Sequence, residues 1–447
     1  MKVGLFDRIA TPTGGGQIRS GPGSAIVVDN TCTSPANCVI DFTPTVQNLR
    51  VPQQIVHPNF SVVAPGTVAG QVPGGYQAVG TGPFTFGSYA PGQSLVVKRN
   101  AGYWGAKAAS SQITFQFIPD NTARRQALEA TPGVDVIYDT PRPDVASLKS
   151  RGFQIANSTV GTYQAMFANI RPSAQFPQYN ILTDLRVRKA VSSAINRADI
   201  ANVTFGGLAT QDQTMVPPSS LSPHQSRVTG YPFNPGQANT LLDSAGWSDA
   251  READGTRTKA GRPLELLLNS GFPSAEINKP VPAAIQLQLK AVGIRVVLNE
   301  NTTNYFSRVR EGEGDLWIEQ GNQNDANPAF LPQLLFYSGP GSSPICSGTT
   351  ISRTYAARFG PGAAPNPCDP PVGSAFDTSL STVAGDANLD SVRAATADAM
   401  HDFVDTQAIG IVVAGLSRVY GMKPSVVGLQ PHPASVHFKW ASVAKNG

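Results

Sequence analysis

No run of the 447 residues approaches eighteen consecutive apolar positions, so a membrane-spanning helix is not expected. Charged side chains are scarce at 14%, against roughly 25% in an average globular protein. Lys and Arg form no block and no stripe interleaved with aromatics, and the formal net charge is only +4, which leaves nucleic-acid binding without support. Gly-x-Ser-x-Gly and His-Glu-x-x-His are both missing; Gly16 to Gly21 has the glycine spacing of a phosphate loop, but Pro22 stands where lysine would be needed. The five histidines, His57, His224, His401, His432 and His437, are scattered. Only the last two are close, and their odd separation puts them on opposite faces of a strand. Neither a metal site nor a catalytic pair is expected, and no cofactor. The first residues, Met1 to Arg8, carry a charge where the core of a signal peptide would be apolar; no export signal is expected in this chain.

Apolar residues at 40% and aromatics at 8% are enough for packed cores, and the length allows two or three domains. Glycine (43) and proline (37) are abundant, so turns and neutral polar side chains make up much of the surface. Cys32 and Cys38 flank a five-residue loop, and Cys346 and Cys368 flank a longer one rich in Gly, Pro and Ser. Without Cys-x-x-Cys spacing or a nearby histidine, zinc is disfavoured and two local disulfides are expected. Four free thiols, the alternative, would suit the cytosol.

Strand-like runs occur at Ala25–Val28 and Cys38–Phe42, then at Phe84–Phe86 and Ser94–Lys98 on either side of a Pro91-Gly92 turn. Gln112–Ile118 precedes a helix over 121–130 with Asn121 as its cap. Between Asp184 and Ile200, Val187, Ala190, Val191, Ala194 and Ile195 recur at helical spacing, with Arg186, Arg188, Lys189 and Arg197 on the other face. Asn234 caps a helix opened by Pro235 and closed by Gly246. Asp254-Gly255 signals a turn before the strand Leu264–Leu268; Ala283–Ala291 is helical, Gly293 stops it, and Ile294–Leu298 is a strand. Alternation of this kind defines an α/β protein.

Several of these segments, in this order, resemble a known family. They are Gly80-Thr81-Gly82-Pro83-Phe84, Pro91-Gly92-Gln93-Ser94-Leu95, Tyr103-Trp104-Gly105, Val134-Asp135-Val136, Asp184-Leu185-Arg186-Val187-Arg188-Lys189-Ala190, Asn234-Pro235, Ala245-Gly246-Trp247 and Gly314-Asp315-Leu316-Trp317 running on to Asn327-Pro328. Together they resemble the extracytoplasmic solute-binding proteins of ABC importers, in the peptide/nickel class that includes dipeptide and oligopeptide receptors. The resemblance covers about residue 75 to the C-terminus. It implies a two-lobed α/β fold of the type II periplasmic-binding-protein kind with a hinge: residues 76–210 as first lobe, 211–418 as second, 419–447 returning to the first, and 1–75 as the remnant of a small extra domain. Part of the first lobe, its first strand included, and most of the extra domain would be lacking. It also implies a bacterial, periplasmic or lipid-anchored protein that catalyses no reaction. Such a monomer captures a peptide in the inter-lobe cleft and delivers it to the importer's membrane permease. Two other readings are a non-transport extracytoplasmic sensor and a secreted hydrolase; the hydrolase would need a nucleophile and base that the sequence does not display.

By the same resemblance the polar loop Gly321, Asn322, Gln323, Asn324 and Asp325 would meet the peptide backbone, with Asp325 pairing with the ligand's α-ammonium. Its plain alternative is a polar turn in which Asp325 caps Asn327-Pro328. Tyr163, Phe167 and Asn169 stand where the family chain re-enters the cleft, and Trp317 reads equally as core packing or pocket lining. For the cysteines, non-reducing mass mapping of protein made in an oxidising compartment should recover Cys32–Cys38 and Cys346–Cys368 linked peptides; four free thiols would sink the pairing.

Overall fold

The computed structural model describes residues 17–19, 25–29, 41–44 and 80–446, apart from 139, 171–174, 249, 273–279, 323–327, 330–331, 333–374, 384–385, 387 and 432–437. All four cysteines, and with them both expected disulfides, lie outside the described residues. The chain packs into two compact units. A terminal unit is built chiefly from Ser24–Val160 with Ser417–Gly447, and a central unit from Gly161–Leu416.

In the terminal unit β1 (Gln17–Arg19), β2 (Ala25–Asp29) and β3 (Asp41–Pro44) form an antiparallel sheet. A second antiparallel sheet joins β4 (Phe84–Ala90), β5 (Ser94–Arg99) and β6 (Gln112–Gln116). Gly92, at φ 69°, takes the left-handed corner of the β4–β5 turn. Helix α1 (Asn121–Glu129) follows, and its cap is Asp120 rather than Asn121: the Asp120 carboxylate accepts from Ala123 N–H at 2.7 Å, while Asn121 receives Arg124 Nη2 at 2.5 Å. Then come β7 (Val136–Tyr138) and α2 (Arg142–Ser150). Leu128 of α1, Ile137 of β7 and Leu148 of α2 make a small core, with Val134, Phe153 and Ile155 packed around it.

Two long strands pass from one unit to the other, β8 (Gln154–Ala168) outward and β15 back. The central unit begins in β8 and continues through α3 (Leu185–Ser193), β9 (Ala209–Thr210) and α4 (Pro235–Ser244). Next are the hairpin β10 (Thr258–Lys259) and β11 (Arg262–Pro263), β12 (Glu265–Asn269), α5 (Pro280–Ala291), β13 (Arg295–Asn299), α6 (Tyr305–Arg310) and β14 (Leu316–Asn322). It ends with α7 (Ala375–Thr382), α8 (Leu389–His401) and β15 (Gly410–Met422). The strand order is β13-β12-β14-β8-β15, with β9 also on β15. β12 runs parallel to β13 and β14, whereas β14 and β8 are antiparallel.

Strand alternation sends Met166, Leu268, Leu316 and Ile318 to one face, against Val187 and Val191 of α3, Leu242 of α4 and Ile285 and Leu289 of α5. Tyr163, Phe167 and Trp317 go to the other, against Phe376 of α7, Val392 and Met400 of α8, and Phe403. Both faces are therefore buried. Helix α3 is shorter than its apolar period suggests, and Arg188 and Arg197 are not on a solvated face: each is 5% exposed. Arg188 donates to Leu182 O, Thr183 O and Gln407 O at 2.7, 3.0 and 2.8 Å, and Arg197 to Val412 O and Tyr231 O at 2.6 and 3.0 Å. Burial lowers the pKa of each guanidinium to about 10, still charged at neutral pH, so carbonyl oxygens replace the lost water. Leu268→Ala, in the middle of the sheet, should lose about 3 kcal/mol in urea unfolding; a loss below about 1 kcal/mol would mean that this core is loosely packed.

Candidate functional site

The antiparallel pair β8 and β14 brings part of the expected site together. Phe167 stands opposite Trp317 and Tyr163 opposite Gly321, in a register that ends at Thr162 and Asn322. On the resulting face the Tyr163 and Phe167 rings meet edge-on at 6.4 Å, and Phe167 lies 5.8 Å from Trp317 and 6.2 Å from Phe403. Tyr163, Phe167 and Trp317 are all buried. Gly321 has to be glycine here, because a Cβ would sit 2.4 to 2.5 Å from ring atoms of Tyr163.

Trp317 is a core side chain, 2% exposed. Among the described residues its Nε1–H is buried with no hydrogen-bond partner, a state that costs about 1–3 kcal/mol. Asn169 does something different. Its Nδ2 donates to Gly314 O at 3.0 Å and Gly312 O at 3.3 Å, and its N–H donates to Asp315 O at 2.8 Å, so it fastens the turn that leads into β14. Gln323, Asn324 and Asp325 lie outside the described residues, and of Asn322 only the backbone is described.

The face also holds a carboxylate that no sequence motif marks. Glu319 is 7% exposed, two residues beyond Trp317 and so on the same side of β14. Burial first, and then the Glu319 carboxylate, hold the Tyr163 phenol well above its usual pKa, and the same two causes act on Tyr305. Period-two spacing from Trp317 was the available signal. Asp315, at the entry to β14, accepts Leu267 N–H at 2.9 Å through Oδ2, while among the described residues its buried Oδ1 has no partner. Burial pushes its carboxyl up to about 7, against the opposing pull of the Leu267 hydrogen bond.

Comparison with solved structures shows the fold class first: NikA from Brucella suis in complex with Fe(III)-EDTA superposes with a TM-score of 0.71 at 23% identity, over 94% of this chain and 79% of that one. The α/β fold is thus that of the periplasmic binding proteins, as the sequence implied. The model for bacterial extracellular solute-binding proteins, family 5 (middle), matches residues 39–343, and the chain belongs to that family. Among curated relatives, heme-binding protein A of Haemophilus influenzae is 24% identical over 365 residues, 79% of this chain and 58% of that protein. Oligopeptide-binding protein OppA of Lactococcus lactis subsp. cremoris is 28% identical over 274 residues, 58% of this chain and 45% of that protein. The chain thus spans about half the length of the curated relatives it matches.

Asp315 makes stability depend on pH. An unfolded Asp ionises near pH 3.9 and the folded one only near 7. Between those values the unfolded state sheds its proton while the folded state keeps it, so this group withdraws about 1.4 kcal/mol of stability per unit of rising pH, and nothing further above about 7. Asp315→Asn preserves an acceptor for Leu267 N–H without the titration. In urea unfolding at pH 5 and pH 8 the variant should gain on the parent as pH rises; parallel losses would show that Asp315 ionises normally.

Proposed function

We propose that this protein captures peptides outside the cytoplasm and hands them to the membrane permease of an ABC importer, without catalysing a reaction. Membership of the family 5 solute-binding proteins carries the reading. Peptide is preferred over the other ligands named among the relatives because the polar segment 321–325 offers main-chain donors and acceptors beside a carboxylate, Asp325, with no lysine or arginine in the loop to neutralise it. In this reading Asp325 pairs with the ligand's α-ammonium and Gly321, Asn322, Gln323 and Asn324 meet its backbone. The buried Tyr163 ring packs against Gly321 at the start of this segment, with the buried Trp317 ring on the same face. Phe167 and Asn169 act behind it, holding β8 and β14 in register.

The test is calorimetry of this protein with short peptides, free and N-acetylated. The parent should bind the free peptides more tightly. Removing a carboxylate that faces a desolvated ammonium costs about 2–5 kcal/mol, so Asp325→Asn should weaken free peptides by roughly 30-fold or more and erase the distinction from the acetylated ones. Peptide binding with unchanged discrimination would remove Asp325 from the site, and the absence of peptide binding would remove peptides as the ligand.

A further inference from the structure

Gln164, in β8, is 0% exposed, and among the described residues neither its Oε1 nor its Nε2 has a hydrogen-bond partner. A carboxamide presents an acceptor and two donors, and burying all of them unmet works against folding. Buried polar side chains are normally satisfied, and an exception calls for an explanation. An apolar side chain would serve the core better here: Met166, two residues along β8, is equally buried and belongs to the core beside α3, α4 and α5.

Strand register shows what lies beside the amide. Gln164 stands directly opposite Gln320 of β14, and Cβ atoms in such a pair are about 5 Å apart. Gln320 is partly exposed, so solvent comes within a side chain's length of the Gln164 amide. By alternation the two glutamines share the face of Met166 and Ile318 and point away from Tyr163 and Trp317. The next pairs along, Tyr163 with Gly321 and Thr162 with Asn322, mark the start of the polar segment 321–325.

A partner for this amide has to offer a donor and an acceptor side by side. A cation leaves the Nε2 hydrogens unmet, and an anion leaves Oε1 unmet. The N–H and C=O of one trans peptide group point in opposite directions. In an extended chain, however, the N–H and C=O of a single residue point to the same side, as in the doubly bonded pairs of an antiparallel ladder. We propose, building on the peptide reading above, that Gln164 clamps one residue of an extended peptide ligand by its main chain, Oε1 accepting that residue's N–H and Nε2 donating to its C=O. The clamp is neutral and does not read the ligand's side chain. The selectivity it adds is against proline or an N-methylated residue at that one position, since neither has an N–H to give. An internal water is the competing occupant, and it would leave peptide affinity indifferent to the residue at 164.

The experiment is calorimetry with tetrapeptides of alanine and leucine, each also N-methylated at one peptide nitrogen at a time. The parent is compared with Gln164→Met, which keeps an unbranched side chain and drops the amide. Two neutral hydrogen bonds correspond to roughly tenfold or more in affinity, so the variant should bind the unmodified peptides more weakly by that factor. At one nitrogen the penalty for methylation should be several-fold smaller in the variant than in the parent. Urea unfolding of the unliganded variant should give a midpoint equal to or above the parent's, because an unmet amide has been replaced by an apolar chain. Equal affinity of parent and variant, or methylation penalties that match at every nitrogen, overturns the clamp and leaves peptide capture in place. A fall in both affinity and urea midpoint in Gln164→Met, repeated in Gln164→Leu, overturns it as well, because the amide would then be structural. A parent that binds none of the peptides overturns the peptide reading itself, and the clamp with it.

Discussion

Most of the central unit follows from one constraint, a sheet buried on both faces. Once β8 and β14 pair in the register that sets Phe167 against Trp317, alternate residues are committed to opposite cores, and neither strand can slip by one residue without exchanging every side chain between them. The same double burial explains the polar groups found there. Arg188 and Arg197 can be interior because backbone carbonyls ring them; Asp315 is interior with one oxygen satisfied and one not, and its proton affinity rises accordingly.

Much of the fold was legible because it is written locally. Asn234 accepts from Gln237 N–H at 2.9 Å and Pro235 opens α4, as the sequence indicated, and Gly246 and Gly293 hold positive φ where helices were expected to stop. Asp254-Gly255 lies in the turn closed by the Arg251–Arg257 bridge. The errors arise where tertiary partners decide. Asp120 and Asn121 are equally good caps on paper, and only the helix phase selects the first. Arg188 of α3 and Arg197 beyond its end look solvated until the carbonyls of residues distant in sequence, Gln407 and Val412, are seen to meet them.

The site was legible to a smaller degree. Tyr163, Phe167 and Trp317 were named from resemblance and do lie on one face, but that they touch is a matter of strand register between segments about 150 residues apart, which local pattern does not encode. Glu319 carries no local mark that separates it from an exposed strand residue; burial of β14 on both faces is what sets it inside. Asn169 looks from sequence like a ligand contact, yet its amide is occupied by two glycine carbonyls, a commitment no spacing rule reveals.

The discontinuity of the terminal unit has a consequence during biosynthesis. Its strand β7 finds its partner in β15, whose residues 420–422 emerge only after the whole central unit has been made. At roughly 5–20 residues per second, β7 waits on the order of tens of seconds on the ribosome for that partner. A pause in translation through the central unit therefore lengthens the interval in which β7 lacks β15.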